Sequence, residues 1–117
     1  MKLFVYGTLK RGECNNDLLT AYGAKFIQED KLLNHGVYGY APIAGPAEGV
    51  TLEGEVWDNI SEELWERLDA LEWGYRRKEI TTVGNHKAVL YIYGGILKLV
   101  GPTSLYKVFS KWPVFED

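Results

Sequence analysis

Phe4-Val5-Tyr6-Gly7-Thr8-Leu9-Lys10-Arg11-Gly12 carries an apolar strand straight into a glycine-bracketed loop within the first dozen residues. Lys2 to Tyr6 reads as a buried first strand that stops at Gly7. A glycine there has backbone angles closed to other residues and no side chain. The amides of Gly7, Thr8 and Leu9 are therefore expected to turn together toward a bound oxygen. A strand that ends in Tyr-Gly only to change direction is the other reading, and the loop alone does not separate the two.

Outward from this segment, Asn15-Asn16-Asp17 offers caps for a short helix through Leu18 and Leu19, which Gly23 ends. Lys25 to Leu33 has strand character, and Gly36 to Pro46 reads as a glycine- and proline-punctuated loop holding a short strand. Val50 to Trp57 alternates apolar and polar positions as a half-buried strand does. Ser61 caps a second helix. Lys78 to Val83, a turn at Gly84-Asn85, and Ala88 to Tyr93 form a hairpin, followed by an apolar run from Ile96 to Val100. The tail from Gly101 to Asp117 has no regular pattern. The order predicts one α+β domain over residues 1–117, a small mixed and mostly antiparallel β-barrel with a few short helices.

The chain has 117 residues, enough for one core without disulfides. A net charge of -3 argues against a nucleic-acid backbone as partner, since that affinity comes from massed Lys and Arg. Lys10-Arg11 and Arg76-Arg77-Lys78 are small clusters able to hold an anionic ligand. Cys14 is the sole cysteine and is read as a small inert residue. The opening apolar run breaks too early for a signal peptide, and no stretch is long enough to span a membrane, so a soluble, cytoplasmic protein is expected. Glu29, Asp30, His35 and Asp58 show no metal-ligand spacing, and no metal or cofactor is expected.

The second informative stretch is Ser61 to Glu72. Ser61 is an N-cap, and Glu62 and Glu63 sit in the first turn, where the helix dipole favours acids. At about 100° per residue, Leu64, Leu68 and Leu71 make an apolar stripe widened by Trp65. Glu66 and Asp69 fall away from it. Glu72 falls inside the apolar sector, between Leu68 and Trp65. A carboxylate so placed is desolvated and its pKa rises toward the range of a proton acceptor near neutrality, which makes Glu72 the candidate base. Two other readings stay open: the helix stops before Glu72, or Glu72 pairs with Arg76 or Arg77.

Tyr6-Gly7-Thr8-Leu9 together with Leu68-Asp69-Ala70-Leu71-Glu72 and Tyr75-Arg76-Arg77 resembles the gamma-glutamylcyclotransferase-like family, which includes the AIG2-like proteins and the gamma-glutamylamine cyclotransferases. Gly54-Glu55-Val56-Trp57 is similar to that family's Gly-Glu-aromatic strand. The resemblance implies a small mixed barrel, a loop that binds substrate through the backbone of Tyr6, Gly7, Thr8 and Leu9, and Glu72 as catalytic general acid/base. It also implies a small-molecule γ-glutamyl substrate cyclised to 5-oxoproline without a cofactor. The chain departs from the pattern at Trp73, where members often have glycine, and at Asn16, where many have histidine. Two competing readings are a ligand-binding or interaction domain of the same fold without turnover, and a thiol enzyme built on Cys14 with His35 or His86, which has no supporting motif. The leaving amine and the oligomeric state are not legible in the sequence.

Overall fold

The structure, a computed structural model, describes residues 1–38, 43–93 and 108–113. In chain order the elements are β1 (Lys2–Val5), α1 (Asn16–Ala21), β2 (Lys25–Tyr38), β3 (Ala44–Asp58), α2 (Glu62–Leu71), β4 (Tyr75–Thr81), β5 (Lys87–Tyr93) and β6 (Val108–Phe109). The strands form one sheet in the order β4-β5-β1-β3-β2-β6, parallel between β1 and β5 and antiparallel elsewhere. The class is α+β, as the sequence predicts.

Side-chain alternation along β1 explains the two-layered core. Phe4 and Tyr6 point to the concave face, where they meet Leu32, Val37, Leu52, Val56 and Leu90. Leu3 and Val5 point to the other face, which α1 and α2 cover with Leu19, Leu64 and Leu68. β1 is buried on both sides, and this is why it reads as a continuous apolar run. Gly54 lets the concave face close. A Cβ there would lie 2.6 Å from Cζ of Phe4 and press on the Val5 carbonyl.

The sheet curls until the β4–β5 turn meets β2. The Val83 amide donates to the Lys31 carbonyl (2.8 Å) and the Gly84 amide to Oδ1 of Asp30 (2.9 Å). No ladder joins β4 to β2 among the described residues, so side chains and this turn make the closure.

Three expectations need correction. The two ends of the stretch from Gly36 to Pro46 are strand and not loop: β2 and β3 pair there, His35 opposite Pro46, Gly36 opposite Gly45 and Val37 opposite Ala44, while residues 39–42 lie outside the described residues. Pro46 is tolerated because it sits beside a register shift at Leu33/His35, and Gly36 because β6 crosses so closely that a Cβ would strike Val108. The tail is not wholly irregular, since Val108 and Phe109 pair with Tyr38 and Val37. The second hairpin begins at Tyr75 and not at Lys78. Residues 96–100 lie outside the described residues.

Candidate active site

β1 delivers the chain to the loop 6–15, in which the carbonyls of Gly7, Thr8 and Leu9 are all bonded. The Gly7 carbonyl accepts from the Lys10 amide (3.1 Å), that of Thr8 from the Asn15 amide (2.9 Å), and that of Leu9 from Nδ2 of Asn16 (2.8 Å). Nδ2 of Asn15 also donates to Oγ1 of Thr8 (2.9 Å). The amides of Gly7, Thr8 and Leu9 have no acceptor among the described residues. Three neighbouring donors without partners are a ready cradle for an anionic oxygen. Asn15 and Asn16 were expected to cap α1, yet Asn15 makes no side-chain cap bond and both amides brace the loop instead. Gly7 does not use a left-handed backbone, which falls on Gly12 (φ 82°).

Glu55 fastens the loop to β3. Its buried carboxylate accepts from the Arg11 amide (3.0 Å), from Nε of Arg11 (3.1 Å) and from Nε1 of Trp57 (3.2 Å). The Arg11 guanidinium also stacks 3.6 Å over the Phe26 ring. Most members of the basic clusters named in the sequence have structural partners. Lys10 donates to the Trp112 carbonyl, Arg77 to Asp69, and Lys78 meets Nε2 of His35 (3.0 Å).

α2 starts at Ser61, whose Oγ accepts from the Leu64 amide (3.1 Å), and its last helical residue is Leu71. Glu72 is the C-cap: its amide still donates to the Leu68 carbonyl (2.8 Å), and its carbonyl accepts from the Tyr75 amide (2.8 Å) as Gly74 (φ 90°) turns the chain into β4. The helix therefore stops just short of Glu72, while the first bonded turn keeps the residue in helical direction. Leu71, placed in the buried stripe by periodicity, is instead 43% exposed, because the helix ends there. Arg77 pairs with Asp69 and not with Glu72: Nε lies 2.9 Å from Oδ1 and Nη2 2.6 Å from Oδ2. The hydroxyl of Tyr91 donates to the same Oδ1 (2.6 Å). Asp69, read from the sequence as merely solvated, is the clamp that fixes the end of α2 to β4 and β5.

Glu72 and the loop face one cavity of about 180 Å³. Tyr6, Gly7, Thr8, Leu9 and Glu72 all line it, and so do Asn15, Leu71, Tyr75 and Tyr91, which the sequence did not single out as site residues. Tyr75 belonged to a recognised Tyr-x-Arg pattern, a signal that pointed to it; nothing in the pattern of β5 marked Tyr91. Burial pushes the Glu72 carboxyl above its ordinary value of 4.5. The Tyr6 phenol is pushed far upward, first by burial and then by the neighbouring Tyr75 and Glu72. Its hydroxyl is in use, donating to the Tyr91 carbonyl (3.2 Å) and accepting from the Ala44 amide (3.1 Å). Tyr6 thus straps β5 to β3 and offers the cavity its ring.

Cys14 is exposed, and the histidines are held elsewhere, His35 against the Leu33 carbonyl and His86 between Lys2 and Gln28. No helix among the described residues is long and apolar enough to cross a membrane.

A curated protein of Drosophila melanogaster named "Putative gamma-glutamylcyclotransferase CG2811" is 40% identical over 81 residues, which cover 61% of this chain and 51% of that protein. The chain spans about half the length of that relative. Among solved structures, the uncharacterised protein PH0828 from Pyrococcus horikoshii is 34% identical with a TM-score of 0.69, covering 80% of this chain and 78% of that one. An AIG2-like protein from Mus musculus has a TM-score of 0.75 over 95% of this chain and 86% of that one; at 20% identity this likeness concerns the fold alone. A family model described as gamma-glutamyl cyclotransferase, AIG2-like, matches residues 3–108, a span that begins in β1 and takes in both the loop and Glu72. The chain belongs to the gamma-glutamyl cyclotransferase, AIG2-like family.

Proposed function

We propose that the protein cyclises the γ-glutamyl group of a small γ-glutamyl amine or amino-acid compound to 5-oxoproline and releases the amine. The observation that carries this reading is one cavity lined both by the loop, whose Gly7, Thr8 and Leu9 amides have no partner among the described residues, and by Glu72, whose carboxyl burial raises. The substrate brings its own nucleophile. Its α-amine attacks the γ-carbonyl carbon, a new C–N bond closes the five-membered ring, and the bond to the leaving amine breaks. Glu72 takes the proton from the attacking nitrogen and returns it to the departing one, so a single carboxyl of raised pKa serves both steps. The amides of Gly7, Thr8 and Leu9 offset charge on the substrate's oxygens without reorganising. Tyr6 shapes the wall.

The test is chromatographic. An L-γ-glutamyl amide and its N-acetyl analogue are incubated with the protein, and 5-oxoproline, glutamate and free amine are quantified. The parent compound is expected to give 5-oxoproline and amine, and the acetylated analogue to be inert because its nitrogen lone pair is delocalised. Glutamate as product, or cleavage of the acetylated analogue, would replace cyclisation by hydrolysis.

A further inference from the structure

The mouth of the cavity is chemically lopsided. Leu71 lines it with a side chain left 43% exposed. Two residues on, Trp73 is 88% exposed, in the turn that ends at Gly74. A bare indole is unusual, since tryptophan is highly buried on average and carries one of the largest apolar surfaces of any side chain. Trp73 is also not on a distant surface. Its sequence neighbours Leu71, Glu72 and Tyr75 all line the cavity, so its backbone is anchored beside the opening.

Charge on the same rim points the same way. Among the described residues lining the cavity, none is Lys or Arg, and Glu72 is the one carboxylate. Arg77, on the same face of β4 as Tyr75, is held by Asp69 in two hydrogen bonds and lies 4.7 Å over the Trp65 ring. Arg76 falls on the opposite face by strand alternation. Among the described lining residues, a leaving group with its own carboxylate would meet an acid and no cation. An uncharged apolar amine would meet Leu71, and Trp73, itself outside the lining, lies next in the chain to the lining residue Glu72.

We infer that Leu71 and Trp73 form an apolar shelf at the cavity mouth that selects leaving amines with an apolar or aromatic substituent and no carboxylate, with Trp73 a specificity-determining residue. This rests on the cyclotransferase reading above. The shelf acts on the departing half of the substrate alone, away from the reacting atoms, so it works through KM.

Three compounds separate the possibilities: L-γ-glutamyl-phenethylamide, L-γ-glutamyl-L-phenylalanine, which differs from it by one carboxylate, and L-γ-glutamyl-methylamide. The phenethylamide is expected to exceed each of the others in kcat/KM by about tenfold. Trp73→Ala, at an exposed position, is expected to cut that of the phenethylamide by about tenfold through KM and to leave the methylamide unchanged. Equal turnover of the phenylalanine compound, a Trp73→Ala variant that keeps the aromatic preference, or one that slows all three compounds alike overturns the shelf while 5-oxoproline formation stands. Absence of 5-oxoproline from every compound removes the cyclotransferase reading, and the inference with it.

Discussion

On the proposed reading the proton transfers fall to one side chain, Glu72, and it carries a thermodynamic signature that can be measured apart from catalysis. Burial raises its folded-state pKa above 4.5, so between 4.5 and the raised value the native protein holds a proton that the unfolded chain has lost. Stability then falls as pH rises through that window, and Glu72 is a net cost at neutrality. Glu72→Gln keeps the shape and removes the titration. It is expected to lower kcat by at least about 10²-fold, and to melt above the parent at pH 7, with the difference closing below pH 4.5, where both side chains are neutral. An active variant, or one that melts below the parent at pH 7, would remove the residue from this role. Glu66→Gln, on the exposed side of α2, is the silent control. The same residue shows what the sequence made legible. Helical period alone aimed Glu72 inward, because one turn of hydrogen bonds sufficed to carry the direction past Leu71. Asn15 does hold the N-cap position of α1, but neither its side chain nor that of Asn16 caps, because an amide beside a helix start has two outlets, and only the tertiary placement of Thr8 and Leu9 decides between them.

At the scale of elements, the candidate site depends on α2 being held at its last turn. Asp69 takes two hydrogen bonds from Arg77 on β4 and one from Tyr91 on β5, and the Arg77 hydrogen bond, ahead of the opposing effect of burial, keeps its carboxyl below the usual range. Both partners of the ion pair are about half exposed, so its worth to stability is on the order of 1 kcal/mol or less. Its larger effect is geometric. Asp69→Ala is expected to lower kcat/KM on the order of tenfold, with a shift in stability of about 1 kcal/mol, as Glu72 loses its fixed direction. Asp69→Asn keeps an acceptor for the Tyr91 hydroxyl and is expected to recover most of the activity; steady-state kinetics and urea melts on the two variants separate position from fold. If Asp69→Ala were fully active, the clamp would have no bearing on the site. β1, β3 and β5 were readable, β1 and β5 as apolar runs and β3 from Val50 onward by its alternation, because each packs regular apolar side chains into the core. The β2–β3 ladder at Gly36 and Pro46 was not, because Gly36 answers to β6, far along the chain, and turn residues inside a strand look locally like a loop.

The molecule as a whole closes its curled sheet along a seam that relies on side chains. From β2 to the second hairpin run Oε1 of Gln28 with Nε2 of His86 (3.1 Å), Oδ1 of Asp30 with the Gly84 amide, and Nε2 of His35 with Nζ of Lys78; Lys2 of β1 reaches Nδ1 of His86 (2.8 Å). Each imidazole can accept from a lysine only while it is neutral. His35 is buried, its Nδ1 lies 2.9 Å from the Leu33 carbonyl, and burial followed by the Lys78 charge pushes its pKa below 6.5. Between that lowered value and 6.5 the unfolded chain binds a proton that the folded one refuses, so stability rises with pH across the window and is lost on acidification below 6.5. The most one such group adds to the slope is about 1.4 kcal/mol per pH unit. His35→Gln keeps a polar partner for Lys78 and cannot titrate. Its unfolding free energy from urea melts at pH 5, 6, 7 and 8, roughly bracketing the titration of a histidine, is expected to fall less steeply on the acid side than that of the parent, with the two curves parallel above pH 7. Parallel curves across the whole range would mean that the seam does not respond to this imidazole, and that closure rests on Asp30, Gln28 and the Val83 amide.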